Sequence, residues 1–342
     1  MRKLLSLLTM FIFATSIQTF AGDIEIQPTM DSKPTTQDRV WVGSFQLVWN
    51  DFIDKIVFNP IRFREGTPIM VYELNKKAFT VNDISDNSYY KYDGKVKKNT
   101  KKIISKAIRR KFKEKSYLLD KLELTHRNDM YIVYSMLNKE FEFVKEFDKL
   151  GRYAFGAENI AEYFGVNKYA SADQTSGIRV LFYNDPNDYA VVLNTTGKDY
   201  VFLYKNASNK PFKQLYADMK MKEKAYNGRT DFKSVDELRI PNISFFEEKS
   251  YDELSNRRIM GTNLSISKAL QTVKFNMDNK GVKLKSESGL TAVTTSLLPP
   301  EELVPRLFYF DNTFVMFLKE KDKSRPYFAL RVNDITKFQK QK

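Results

Sequence analysis

The sequence predicts an α+β fold with large mixed and antiparallel β-sheets and a reduced set of helices toward the N-terminal side. Short β-rich runs succeed one another from Met130 to Val332, whereas only Lys101–Lys115 reads as a long amphipathic helix. No internal repeat, low-complexity tract or linker divides the chain after Val40. With 342 residues, 42% of them apolar and 14% aromatic, the chain can bury one large core.

The first residues read as a leader. Arg2 and Lys3 precede an apolar stretch from Leu4 to Ala14, and Thr19-Phe20-Ala21 closes it with small-residue cleavage chemistry. That stretch is far short of the roughly 20 residues a spanning helix needs, so residues 1–21 are expected to be a cleaved signal peptide, with no membrane span. The mature protein is then secreted or periplasmic. Residues 22–39, polar and carrying Pro28 and Pro34, are expected to be an extended arm, followed by a single domain over residues 40–342.

Along that domain, Trp41 to Ile53 suits a short amphipathic helix, and Lys55-Ile56-Val57-Phe58-Asn59-Pro60 a buried strand stopped by proline. Ile69–Tyr72 and Tyr89–Tyr92 read as strands, the second ending at Asp93-Gly94. In Lys101–Lys115, Ile104, Ala107, Ile108 and Phe112 recur at helical spacing. Strands follow at 130–138, 178–183, 189–194, 200–204, 238–244, 270–277, 307–310, 314–319 and 327–332. Helical pieces are expected at 157–164, 212–219 and 251–256.

Composition excludes several chemistries. There is no cysteine, so disulfides, thiolate metal sites and cysteine nucleophiles are absent, and stability rests on the core. His126 is the sole histidine and lies in a polar connector, so catalysis through it is the least favoured reading. No enzyme, metal or cofactor is predicted. Gly197-Lys198 is followed by Asp199 and preceded by no glycine-rich run, which removes a phosphate loop. The formal charge is +14, and between Lys95 and Lys115 only Glu114 is acidic. Lys101, Lys102, Lys106, Arg109, Arg110 and Lys111 could therefore hold a polyanion such as an acidic glycan; aromatic side chains are not interleaved for base stacking, and no nucleic acid is expected.

The last hundred residues carry a family resemblance. Leu238-Arg239-Ile240-Pro241-Asn242-Ile243-Ser244, then Leu270 to Gly281, then Phe308-Tyr309-Phe310-Asp311-Asn312-Thr313-Phe314-Val315-Met316-Phe317-Leu318 and Phe328-Ala329-Leu330-Arg331-Val332 resemble successive serpin strand motifs in order and spacing. Ile132–Leu137 through Phe141 and Phe147, the pair 180–183 and 189–193, and Ile56–Pro60 are similar more weakly. The chain departs from the family at Thr313, Leu330 and Gln271, and is shorter between Pro60 and Met130, like a divergent, shortened bacterial serpin.

What the resemblance implies is an exposed reactive-type loop from Val282 to Pro305, its hinge at Gly281, Val282, Leu284, Ser286 and Ser288 and its scissile bond at Thr295-Ser296. Alternate residues Val282, Leu284, Ser286, Ser288 and Leu290 would face inward on insertion. Leu284, Lys285 and Glu287 replace the small residues of the family hinge, and forcing bulk into a packed site costs about 1–3 kcal/mol. The expected partner is an extracellular or periplasmic protease. The alternative is a non-inhibitory serpin-fold protein that binds a polyanion or another exported protein.

Overall fold

A computed structural model describes residues 24–122, 124, 130–282 and 304–339. The expected leader, His126 and most of the expected loop lie outside them. A seven-stranded sheet organises the core. Its order is β1 (Glu25–Gln27), β2 (Arg39–Val42), β17 (Phe328–Val332), β16 (Phe314–Glu320), β10 (Asp199–Lys205), β9 (Asp188–Asn194) and β8 (Ile178–Asp185). All pairs are antiparallel except β1 with β2. The central strands are apolar without alternation because both faces are covered. Helix α6 (Phe212–Ala225) packs Phe212 and Tyr216 on Phe317 from one side, and Phe275 stacks on Phe328 from the other, ring centroids 4.7 Å apart.

A four-stranded sheet runs β15 (Leu307–Tyr309), β11 (Glu237–Pro241), β7 (Asn159–Val166), β6 (Asp148–Phe155). Another runs β12 (Ile243–Ser250), β13 (Leu270–Asp278), β14 (Gly281–Val282), β5 (Phe141–Glu142). A pair, β3 (Tyr89–Lys95) and β4 (Tyr131–Leu137), stands apart from it. Helix α1 (Ser44–Phe52) packs beneath β4, and α3 (Thr100–Phe112) lays Ile104 and Ile108 over β3 and β4 against Val96, Ile132 and Tyr134. Three short helices, α2 (Ile69–Leu74), α4 (Leu118–Lys121) and α5 (Ala172–Ser176), complete the set among the described residues.

Most expected strands are present within a residue or two, and five segments differ. The strand opening the domain is Arg39–Val42, while the expected strand at 55–60 is a π-helical turn, Ile53–Val57, whose Ile53 and Val57 reach the core one turn apart. Residues 69–74 are helical because Met70, Val71 and Leu74 are buried at helical spacing behind Pro68, a pattern that four residues read alone do not distinguish from a strand. The helix expected at 157–164 is strand β7: Ala161 and Tyr163 are buried, Ile160 and Glu162 exposed, a period of two. Gly165 completes that strand, since a Cβ there would lie 1.8 Å from the Leu238 carbonyl oxygen of β11. Residues 24–39 are packed rather than extended: Ile24, Ile26 and Gln27 are buried, with β1 seated on β2.

Candidate functional site: a slot between two strands

β13 is paired along its length with β12, and on its other side, among the described residues, only Met277 and Asp278 have a partner, β14. β4 is paired with β3 on one side only. Between the two bare edges lies a cleft of about 600 Å³, floored by Phe45, Val48, Trp49 and Phe52 of α1 and walled by residues of β4 and β13. β14 sits at one end, antiparallel to β13 and to β5, so Gly281 and Val282 already form the first two rungs of a strand directed into the cleft. Glycine is required there: φ is +149°, and a Cβ would meet the Phe141 carbonyl oxygen at 2.4 Å.

Polar groups are spaced along the floor. Gln271, inward on β13, accepts from the buried Tyr251 hydroxyl at 2.7 Å and donates to the Ser44 hydroxyl at 3.3 Å. The Ser135 hydroxyl of β4 is buried with no hydrogen-bond partner among the described residues. Just below Val282, Lys139 sits between Asp199 (2.9 Å) and fully buried Glu320, over the Tyr327 ring. The Ser85 amide and hydroxyl also bind Glu320. Burial pushes the Glu320 carboxyl up, but Lys139 and Ser85 outweigh it and hold it below the ordinary carboxylate value.

At the far end, residues 113–122 cross the cleft as a strap. The Tyr134 hydroxyl of β4 donates to Ser116 Oγ at 2.9 Å; on the opposite side Lys121 pairs with Glu248 of β12 at 2.5 Å, and the Lys268 ammonium donates to the Lys121 carbonyl at 2.9 Å. Tyr117 leans edge-on against Phe246, and Leu118 and Leu122 point into the cleft. After residue 303 the chain returns through a buried ionic anchor, where Arg306 binds Asp236 at 2.8 Å and the Asp231 carbonyl at 2.6 Å, with Arg229 on the same carboxylate.

The structure brings Gly281 and Val282 to the slot. Leu284, Ser286, Ser288, Thr295 and Ser296 lie outside the described residues. On α3, Lys102, Lys106, Arg109 and Arg110 are exposed, Lys101 pairs with Asp120 at 2.8 Å, and Lys111 turns away to the Asp86 carbonyl and the Tyr89 ring. Ser135, Lys139 and the strap have no sequence signal of their own, because their partners are distant in the chain. Among the described residues no helix is long and apolar enough to cross a membrane, and no three ligating side chains cluster for a metal.

No protein-family model matches the chain, and no curated protein matches it. Solved structures do. Serpin48, described as a highly specific serpin of the insect Tenebrio molitor, is 13% identical over 87% of this chain and 92% of its own, at a TM-score of 0.41. Human thyroxine-binding globulin with thyroxine is 11% identical over 87% of this chain and 76% of that one, at 0.45. Another thyroxine-binding globulin complex, also 11% identical, matches 68% of this chain at 0.41. The chain spans 63% of that structure's length, less than two thirds. One of these structures is described as a serpin, the family whose strand motifs the chain resembles.

Proposed function

We propose that the protein is an exported strand acceptor of the serpin type, which inhibits a protease by drawing its own cleaved loop into the slot between β4 and β13. The observation that carries this is the two-rung strand β14 at the mouth of a slot into which no other described residue pairs. Continued along the same register, Leu284 would lie between Phe275 and Lys139, Ser286 between Val273 and Leu137, and Ser288 between Gln271 and Ser135. Lys283, Lys285 and Glu287 would face out, with Lys274 and Asn276. The apolar and small side chains thus take the inward positions, and Ser288 would supply the partner that the Ser135 hydroxyl lacks among the described residues. Completing a sheet with an antiparallel strand is the driving force.

Cleavage at Thr295-Ser296 suits a protease with a small, uncharged primary pocket. Incubated with an elastase-like enzyme, the protein is expected to form a complex that survives boiling in detergent, and cleavage in the loop is expected to raise Tm. A protease that nicks the loop and keeps full activity overturns the inhibitory reading. The second reading, an acidic-glycan binder, draws on the exposed cations of α3. It predicts heparin retention that falls when Lys102, Lys106, Arg109 and Arg110 are neutralised.

A further inference from the structure

Where α3 meets the strap, a niche of about 110 Å³ is lined by Ser105 and Arg109 of the helix, Lys115 and Ser116 of the strap, and Asp120 of α4. It has room for one tetrahedral oxyanion. The charges favour such a group. Asp120 is already paired with Lys101, whose hydrogen bond and charge hold its carboxyl below the ordinary value, so among the described residues Arg109 and Lys115 bring two further cations to a niche with one carboxylate. Ser116 Oγ accepts from the Leu119 amide at 3.1 Å and from the Tyr134 hydroxyl at 2.9 Å, so its own proton is left to donate.

We infer that this niche binds a phosphate or sulfate group, and that the bound oxyanion latches the strap across the slot. Arg109 and Ser105 sit on the rigid helix while Lys115 and Ser116 sit on the strap, so the site exists only with the strap down. A ligand that binds one conformation stabilises that conformation by its differential affinity. Leu118 and Leu122 line the far end of the cleft while packed against the cluster beneath α3, so a full strand would have to pass them. An oxyanion in the niche therefore slows insertion. The binding site stands independently of the strand-acceptor reading; the effect on insertion rests on it.

The test uses the full chain in inorganic phosphate, in inorganic sulfate, and in sodium chloride of equal ionic strength. Hydrogen exchange of the amides of residues 115–122 is expected to slow in the oxyanions and not in chloride, by on the order of 100-fold at a hundred times Kd. Arg109→Ala/Lys115→Ala abolishes the protection, whereas Lys97→Ala/Lys98→Ala, an equal charge change at exposed residues ahead of the helix, keeps it. Protection that is the same in chloride, that survives Arg109→Ala/Lys115→Ala, or that is lost equally in the control pair overturns the site. Phosphate protecting while sulfate does not assigns the niche to phosphate esters; the reverse assigns it to sulfate esters. For the latch, a peptide of residues 282–289 is annealed to the protein and its uptake read from the rise in Tm. Uptake slowed by the protecting oxyanion supports the latch, and an unchanged rate overturns it. If no peptide anneals even without oxyanion, the strand-acceptor reading and the latch fall, and the exchange result still decides the site.

Discussion

Gly281 places the strongest demand on a single residue, because both its backbone angle and its contact with the Phe141 carbonyl exclude a side chain. Gly281→Ala is expected to cost about 1–3 kcal/mol in urea unfolding and to detach β14 from β5. Arg306 makes a different demand. Its partner Asp236 is fully buried, so Arg306→Ala leaves a poorly compensated charge and should cost about 3 kcal/mol, the low end for such pairs because Arg229 remains. Glu320 sets an acid limit. Its folded value lies below its ordinary value, so its stabilising contribution is complete above about pH 4.5 and is lost as pH falls through the lowered value. A thermal-melt series downward from pH 5 should therefore show Tm falling more steeply in the wild type than in Glu320→Gln, which starts lower and changes less.

Among the elements, those whose pattern repeats are the ones the sequence made legible. β9, β10, β13, β16 and β17 are apolar or alternating over five residues or more, and α3 carries a clear helical stripe. The segments at 53–57 and 69–74 present only one turn of apolar spacing, where a strand and a helix place the same residues inward. β7 misled for another reason: Phe164 and Gly165 follow the alternating residues and interrupt it, a consequence of packing against β11 on one side and β6 on the other. Of the candidate site, Gly281 and Val282 were singled out by the sequence and lie at the mouth of the cleft, while the alternation expected beyond them lies outside the described residues. The slot was not, because an absent pairing between β4 and β13 leaves no mark in either strand. Its lining can nevertheless be probed directly. Ser135→Leu fills the inward position opposite Gln271 and should slow uptake of the 282–289 peptide while leaving β3–β4 paired, checked by the same Tm rise and by amide exchange across that pair.

At the level of the whole molecule, a cysteine-free chain of this charge holds together through one seven-stranded core whose members come from both ends of the sequence. Arg39 and Arg331 lie side by side in the register of β2 and β17, each drawn down to about 10, first by burial, while they gather carbonyls from residues 36–37 and 207–210. This adjacency has a consequence for biogenesis. β2 finds its antiparallel neighbour only when residues 328–332 have been synthesised, so a growing polypeptide carries an incomplete sheet until that segment emerges, about 290 residues after β2. Translation halted before Phe328 should leave β2 and β16 with bare edges and deliver an aggregating product rather than a smaller folded one.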